Sequence, residues 1–305
     1  MQPPLAGTCR FFKTISAILV YKSTIQLLRI PFSFFLMPVY WFALSFAEHI
    51  DIANAVLLFF IIHVLVYPSS NGYNSYMDRD TTSIGGLEKP LQPTNQLFVF
   101  TVIMDVLAVL LALVISSVTA ACIFIYIIFS RLYSYKKIRL KQYAVLGYLV
   151  VILNQGGLIF FTVFQAANKD ANALVPLIGV ICSTLLIGGF YPITQVYQHK
   201  EDADDKVKTI SMMLGKRGTF IFCSVIYAVA FALLFFYFSS INKLYLFSIL
   251  LLFFLPVLIY FTVWFLQVKK NSSYADFKHT MRMNKIASAC TNLAFITLLI
   301  LNQLD

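Results

Sequence analysis

Two acidic segments of the chain contain residues whose types and spacing could bind a divalent cation. In the first, Asn74, Asp78 and Thr82 are four residues apart and share one face if the preceding helix continues through them. On this interpretation the Gly-Gly pair at 85–86 and then Pro90 end that helix. Carboxylate and amide oxygens suit a hard cation such as Mg²⁺, which also takes phosphate oxygens of a substrate as ligands.

The second segment repeats this arrangement after a later apolar run. Gln198, Asp202 and Asp205 lie on one face if that helix also continues. A solvated acidic helix end explains either segment taken alone, but two of them at equivalent helix ends favour one shared Mg²⁺ site. The predicted metal ligands are therefore the oxygen-bearing residues of both segments: Asn74, Asp78, Asp80, Gln198, Asp202 and Asp205.

A basic segment lies between the two acidic ones, at residues 131–142. The presence of Lys136 and Lys137 is explained by the tendency of basic residues to stay on the cytoplasmic face of a membrane. Together with the acidic segments, however, Arg139 and Lys141 give one face of the protein both a cation site and an anion site. That combination fits a diphosphate group, with metal on one side and guanidinium and ammonium groups on the other.

The composition determines which elements must position these residues. Of 305 residues, 60% are hydrophobic and 12% are charged, whereas a soluble domain has about 45–50% apolar and about 25% charged residues. These proportions exclude a soluble enzyme, a secreted disulfide scaffold and a disordered chain. The apolar runs are continuous, so they predict membrane helices and not the alternating strands of a barrel.

Nine apolar runs predict nine membrane spans. A stretch of 34 residues at 97–130 would be about 51 Å long as one helix, so we divide it near Ser116-Ser117. The predicted spans are Ile30–Ala47, Ile52–Gly72, Leu97–Ile115, Ser117–Ser130, Tyr143–Ala167, Ala171–Tyr197, Gly218–Ser240, Leu244–Val268 and Ile286–Leu304.

The positions of the basic residues agree with this number. If the N-terminus is cytoplasmic, 21 of the 23 Lys and Arg residues fall on the cytoplasmic side and only Lys169 and Lys243 fall elsewhere. We expect an N-terminal segment over 1–29, with an interfacial helix at Thr14–Tyr21, and one membrane-embedded domain over 30–305. The expected location is a bacterial cytoplasmic membrane. The five cysteines include no CxxC pair and are interpreted as membrane packing residues.

These three polar segments, in this order, resemble the UbiA-type intramembrane prenyltransferase superfamily over about residues 28–300. Asn74 and Asp78 match the family's first signature, Asn-x-x-x-Asp-x-x-x-Asp. Asp202 matches its second, Asp-x-x-x-Asp followed by a Lys-Thr-Leu-like stretch and Leu-Gly. Three further stretches are similar to family motifs: Tyr133-Ser134 with Arg139-Leu140-Lys141, Lys208-Thr209-Ile210 with Leu214-Gly215, and Leu28-Arg29-Ile30-Pro31.

The resemblance implies a nine-helix bundle whose central cavity opens at the cytoplasmic face. It implies Mg²⁺-dependent transfer of a prenyl group from a prenyl diphosphate to an aromatic or other electron-rich acceptor, with Asp78 and Asp202 acting in catalysis. It also implies a diphosphate site; the residues expected there are Tyr133, Arg139, Lys141 and Lys208. Membrane lipid is an expected partner, nucleic acid is not, and the oligomeric state is left open.

The chain departs from the family pattern at two acidic positions. Thr82 replaces the last Asp of the first signature, and Gln198 replaces the first Asp of the second. Asp80, Glu201 or Asp205 could substitute after a small rotation. Lysines at 136 and 137 also replace the usual prolines of the middle motif. A family member that binds a lipid diphosphate without catalysis is therefore an alternative, and an ion-coupled transporter is another.

Other polar residues in the spans have two interpretations each. Asp105 is either a functional group or the partner of a neighbouring helix, because a carboxylate is costly in lipid. One segment of the fifth span either hydrogen-bonds a substrate or allows close packing of helices: Asn154-Gln155-Gly156-Gly157. His63 and His199 are predicted to be structural or interfacial. Five tyrosines near the polar segments are candidates for the π faces of a carbocation site or for interfacial anchors: Tyr73, Tyr76, Tyr133, Tyr191 and Tyr197.

Overall fold

The structure, a computed structural model, describes residues 20–170 and 173–304, and the named elements in these ranges are all helices. Eight of these helices are long and apolar enough to cross a membrane, and a bent pair before them would give a ninth span. We call the bent pair α1 (Lys22–Phe35 and Met37–Leu44). The others are α2 (Ile52–Asp78), α3 (Asn95–Ile115), α4 (Ser117–Ser134), α5 (Ala144–Ala167), α6 (Leu177–Gln195), α7 (Ile210–Ser240), α8 (Leu244–Lys270) and α9 (Phe277–Leu304).

The chain is thus an all-α polytopic membrane protein, as predicted. The predicted interfacial helix Thr14–Tyr21 lies almost entirely outside the described residues. The two parts of α1 meet at an angle of 42°. Pro31 and Pro38 each stand in the first turn of a helical segment, where a missing backbone N–H costs nothing, so this part of the chain forms short segments and not one straight helix.

The loops alternate between two ends of the bundle. At one end the backbone N–H of Asp51 donates to the Ala167 carbonyl at 2.7 Å, and the side chain of Asn302 donates to the Ser45 carbonyl at 2.5 Å. At the other end Lys208 donates from its backbone to the Gln142 carbonyl at 3.4 Å. This alternation agrees with a nine-span topology; which end faces the cytoplasm stays a prediction.

Several predicted boundaries need correction. The break at Ser116 is confirmed: Ser116 is extended and its hydroxyl accepts from the Thr119 backbone N–H as the N-cap of α4. The sixth helix starts at Leu177 and not at 171. The seventh starts at Ile210, with a kink at Gly215, and the ninth starts at Phe277. In the last two, polar residues extend the helix beyond its apolar run, which hydropathy alone does not reveal.

Aromatic rings pack against one another in the interior, and the outer surface is apolar. Phe42 of α1 contacts Phe295 of α9, with ring centroids 4.7 Å apart, and Phe160 of α5 at 5.6 Å. Large apolar residues such as Leu252, 70% exposed, cover the outside of the bundle. Such a surface is suited to lipid contact.

Helices α5 and α6 approach closely at a glycine. A Cβ atom at Gly156 would lie 2.6 Å from the Thr184 Cα and 2.8 Å from the Ser183 carbonyl oxygen, both of which are backbone atoms. We expect Gly156→Ala to lower the free energy of unfolding by roughly 1–3 kcal/mol, because the helices must separate. Thermal unfolding of the purified protein measures this change.

Gly218→Ala in α7 is the matched control, since its Cβ atom would meet nothing closer than 3.4 Å. There the substitution should leave the stability unchanged or raise it. Equal effects of the two substitutions would contradict the close approach of α5 and α6.

Candidate active site

The first acidic segment ends differently from the prediction. Helix α2 ends at Asp78, because Arg79 adopts a left-handed conformation (φ 57°, ψ 39°) and its N–H bonds the Ser75 carbonyl. Asn74 and Asp78 do share one face, and the Asn74 amide donates to Asp78 at 2.9 Å and to Ser134 of α4 at 3.0 Å. Thr82 is not on that face; it lies in the following loop and hydrogen-bonds Glu201.

The second segment is not a continuation of α6 either. Regular α-helix stops at Phe190 and a 3₁₀ turn with Pro192 follows, since proline lacks an N–H for the α-helical ladder. After a short gap, a separate helix covers His199–Asp204. Gln198 and Asp205 flank this short helix as its caps, so the two do not lie on one long helical face with Asp202. His199 fixes the short helix to α7 through a 2.7 Å hydrogen bond between its Nε2 and the Ser211 hydroxyl.

Both segments nevertheless line the same cavity of about 210 Å³ within the bundle. The predicted residues that line it are Asn74, Asp78, Asp80, Tyr133, Lys141, Gln198, Asp202 and Asp205. A wider vestibule of about 590 Å³, lined by Asp78, Asp80 and Glu201 among others, lies at the same end of the bundle. The residues predicted to hold a metal from two separate segments therefore lie around one opening.

Basic side chains from the α4–α5 loop neutralise two of the carboxylates at this opening, those of Asp78 and Asp205. Lys141 donates from Nζ to Asp78 at 2.5 Å. Arg139 lies 3.4 Å from the other Asp78 oxygen and 2.6 Å from an Asp205 oxygen, so it joins the two acidic segments. Asp78 is almost fully buried in these contacts, with a 4% exposed side chain. Charge-assisted contacts of this kind define a site that handles both signs of charge.

Asp202 has no such partner. Its Oδ2 atom is buried and has no hydrogen-bond partner among the described residues. Burial raises the pKa of Asp202 to about 7; Lys141 opposes this shift, and the nearby Asp78 and Glu201 carboxylates add to it. Burial likewise raises the pKa of Asp80 to about 6, with further repulsion from Asp78. The cavity thus holds carboxylates that lack enough positive charge.

Four basic residues at this end of the bundle adopt left-handed backbone conformations, with φ between 44° and 58°. Each reverses or ends a helical segment beside the cavity, where glycine would be the usual residue. They are Arg29, Arg79, Arg139 and Lys206.

Two predicted roles find less support in the geometry. Lys208 is exposed and does not line the cavity, because its segment directs the neighbouring Val207 and Thr209 inwards instead. Tyr73 is also not at the cavity, since its ring lies under the Arg131 guanidinium at 4.0 Å. By contrast Tyr133 and Tyr191 line the cavity and share a 2.5 Å hydrogen bond between their hydroxyls.

Asp105 forms an ion pair with a neighbouring helix, which favours the structural interpretation over the functional one. Arg131 of α4 donates from Nε to Asp105 of α3 at 2.9 Å, and Ser69 of α2 donates to the same carboxylate at 2.5 Å. The pair therefore links three helices. It also fixes the part of α2 that leads to Asn74 and Asp78.

Several cavity residues with long polar side chains were not predicted as site residues. Arg29 of α1 donates to the carbonyls of Gly85 and Asn71, both at 3.1 Å, and lines the cavity. Others are Asn71, Gln195 and Asn284. Arg29 could have been found from its place in the Arg-x-Pro motif, whereas Asn284 lies in the last span with no sequence signal of its own.

No group of three or more His, Cys, Asp or Glu side chains within 20–170 and 173–304 is close enough to hold a metal ion alone. This does not exclude Mg²⁺, which usually binds proteins through one or two carboxylates and completes its shell with water and substrate phosphates. The unpaired, buried Asp202 oxygen and the raised pKa values of Asp80 and Asp202 are what such a site would leave without its cation.

Comparison with known proteins identifies the family. The model of the UbiA prenyltransferase family matches residues 35–286, which is most of the chain. The chain belongs to the UbiA prenyltransferase family. No curated protein sequence matches this family member.

Solved structures share its fold. A UbiA homologue from Archaeoglobus fulgidus bound to DMAPP and Mg²⁺ superposes with a TM-score of 0.69 at 16% identity, covering 92% of this chain and 99% of that one. An apo UbiA homologue from Aeropyrum pernix K1 gives 0.66 at 16% identity, covering 88% and 98%. A digeranylgeranylglyceryl phosphate synthase gives 0.59 at 20% identity, covering 93% and 99%. At sequence identities of 16–20%, the structural similarity to these proteins establishes the fold of this chain and not its activity.

Proposed function

We propose that this UbiA-family protein transfers a prenyl group from a prenyl diphosphate to an electron-rich acceptor inside the membrane. The observation that carries the proposal is that Asp78, Asp202 and Lys141 line one end of a single cavity. Family relatives bound to DMAPP or GPP together with Mg²⁺ support a prenyl diphosphate as the donor. We also propose that this end of the bundle faces the cytoplasm, because the basic residues collect there.

The metal would be Mg²⁺, held by Asn74, Asp78 and Asp202, with Asp80, Gln198 and Asp205 as further oxygen donors. When bound, Mg²⁺ supplies positive charge that neutralises the diphosphate and helps it leave. In its absence Lys141 and Arg139 neutralise Asp78. We infer that both cations turn from Asp78 to the diphosphate oxygens when the substrate binds, since a carboxylate and a phosphate compete for the same N–H donors.

The remaining residues protect the reacting carbon. When the bond from carbon to diphosphate oxygen breaks, the electron pair leaves with the diphosphate and an allylic cation remains. Tyr133 and Tyr191 line the cavity and are held together by their shared hydrogen bond, so they can present π faces to this cation and exclude water from it. Attack by the acceptor then forms the new bond, and the acceptor loses a proton.

The test is release of inorganic diphosphate by the purified protein. With geranyl diphosphate, Mg²⁺ and a panel of hydroxyaromatic acceptors, we expect release that stops when EDTA removes the metal. Diphosphate binding without release, for any acceptor in the panel, would instead support a non-catalytic member that binds a lipid diphosphate. The Thr82 and Gln198 replacements favour this second candidate, because each removes one charge from the expected ligand set.

An ion-coupled transporter is less well supported. Transporters place ionisable groups near the middle of the membrane. Here Asp105 of α3 is neutralised by Arg131, and the predicted carboxylate ligands Asp78, Asp80, Asp202 and Asp205 line the cavity at one end of the bundle.

The raised pKa values predict an unusual pH dependence. In the folded protein without metal, Asp202 binds its proton with a pKa of about 7, whereas the value in an unfolded chain is 3.8. Between these values the folded state holds more protons than the unfolded state, so stability rises as the pH falls from about 7 towards about 5. The unfolding temperature of the EDTA-treated protein over this range measures the effect.

With Mg²⁺ and inorganic diphosphate present, we expect the opposite pH dependence: stability should fall as the pH falls. The metal must displace the proton from Asp202, so the stabilisation by the ligand should weaken on acidification. Asp202→Asn is the control. Its amide cannot titrate, so the metal-free pH dependence should become weaker and keep only the part that comes from Asp80. A metal-free stability that falls steadily from pH 7 downwards would contradict the buried, unpaired state of Asp202.

A further inference from the structure

One buried amide on the last helix faces the cavity without any bonding partner. Asn284 of α9 is 1% exposed and lines the cavity. Neither its Nδ2 nor its Oδ1 atom has a hydrogen-bond partner among the described residues. It lies two helical turns after Phe277, which lines the vestibule, so it is about 10 Å deeper along the helix axis.

A second asparagine on the same helix shows what the fold does with a structural amide. Asn292 lies eight residues later and is also buried, at 5% exposure. Its Nδ2 donates to the Phe34 carbonyl of α1 at 3.2 Å, whereas its Oδ1 has no partner among the described residues, and it does not line the cavity. The packing of α9 thus pairs at least the donor of Asn292, whereas both polar atoms of Asn284 lack partners among the described residues.

An unpaired buried amide destabilises the protein that contains it, because its lost hydrogen bonds to water are not replaced. Asn284 therefore lowers the stability of the fold, and no hydrogen bond to another described residue offsets this cost. Residues of this kind are typical of ligand sites, where the partner arrives with the ligand.

The surroundings of Asn284 indicate what that ligand contains. Gln195 of α6 lines the same cavity, and its Oε1 is likewise buried without a partner, while its Nε2 donates to Tyr191 at 2.8 Å. Among the described residues, two cationic side chains line the cavity. Lys141 is paired with Asp78, and the terminal nitrogens of Arg29 donate to two backbone carbonyls. The inner part of the cavity thus offers neutral donors and acceptors.

We propose that Asn284 determines specificity for the acceptor. Its Nδ2 would donate to an uncharged hydroxyl or carbonyl oxygen of the acceptor, and its Oδ1 would accept from a hydroxyl group. This inference rests on the proposed function, since it assigns the second substrate of that reaction. It favours an uncharged acceptor over one that carries a carboxylate, because the amides of Asn284 and Gln195 supply no charge to balance a buried carboxylate.

Three probes of similar shape test the inference: 1-naphthol, its hydrocarbon parent naphthalene and its carboxylate analogue 1-naphthoate. Affinities come from the shift in unfolding temperature over a concentration series, with Mg²⁺ and inorganic diphosphate present. We expect the wild type to bind 1-naphthol more tightly than either analogue. Asn284→Leu should bind 1-naphthol about three- to tenfold more weakly and naphthalene equally well, as the loss of one or two neutral hydrogen bonds requires.

The same variant separates a binding role from a structural one. If Asn284 only binds a ligand, Asn284→Leu without ligand should unfold at the same or a higher temperature than the wild type. Asn292→Leu is the matched control: it removes the bond from Nδ2 to the Phe34 carbonyl, so it should unfold at a lower temperature yet keep its affinity for 1-naphthol. Asn284→Ala supplies the comparison if leucine does not fit.

Equal affinity of the wild type and Asn284→Leu for 1-naphthol would overturn the inference. So would absence of 1-naphthol binding to the wild type, or tighter binding of 1-naphthoate. The proposed function is judged separately, by Mg²⁺-dependent binding of inorganic diphosphate in the same assay. If diphosphate does not bind but the 1-naphthol results hold, the amide site stands and prenyl transfer fails.

Discussion

Asp78→Asn and Asp202→Asn are each expected to reduce Mg²⁺-dependent release of diphosphate by at least about a hundredfold. Asparagine keeps the shape of the side chain but removes the charge that would hold the metal. Asp78→Asn also leaves Lys141 and Arg139 without their carboxylate. Release of diphosphate from geranyl diphosphate, followed over time with purified variants in the same detergent, measures the loss.

The control is Glu88→Gln, which removes a negative charge from an exposed position in the loop after α2. It should retain wild-type activity. Asp202→Asn has a second use, because it removes a buried carboxylate that has no partner and so should not destabilise the metal-free fold. Full activity in both Asp variants would refute the assignment of the metal ligands.

Asp105→Ala is expected to lower the free energy of unfolding by about 3–5 kcal/mol. The substitution leaves Arg131 inside the bundle without its carboxylate and also removes the hydrogen bond from Ser69. Because Arg131 packs on Tyr73 one turn before the end of α2, the damage should reach the Asn74–Asp78 face as well. Thermal or denaturant unfolding in detergent measures the stability.

The double variant Asp105→Leu with Arg131→Met is the matched control. It removes both charges together and fills the space with apolar groups, so most of the stability should return. If Asp105→Ala alone unfolds like the wild type, the ion pair has no structural role, and Asp105 again becomes a candidate for function.

The sequence predicted the membrane-spanning helices well because continuous apolar runs have few alternative structures in lipid. It even located the α3–α4 boundary, where Ser116 provides an N-cap. The same reasoning placed Asp78 and Asp202 at the same end of the bundle. Alternation of spans fixes which loops share an end, whatever the details of packing.

The ends of α2 and α6 were predicted wrongly for a local reason. A left-handed stop is usually made by glycine or asparagine, so nothing in the residue type of Arg79 announces it. Pro192 could have indicated the break in α6, but the continuous hydropathy concealed it. The consequence is that Thr82 and Gln198, which were counted on long helical faces, lie in loops or at a cap.

Residues that depend on tertiary packing were beyond prediction from spacing. Asn284 and Arg29 lie more than 250 residues apart in the chain, yet both line the one cavity. Neither shares a periodic pattern with the acidic segments. What distinguishes Asn284 is a missing partner, and a missing partner is visible only once the neighbouring helices are in place.

The left-handed turns formed by basic residues around the cavity affect how relatives of this protein can diverge. Glycine adopts the same backbone geometry without strain, so an ancestor or descendant with glycine at one of these four corners would keep the course of its loops. A single substitution at one of these positions can therefore remove or restore a positive charge near the cavity while the fold is kept. In this way family members can change their electrostatic attraction for anionic lipids and substrates without a change in the helix bundle.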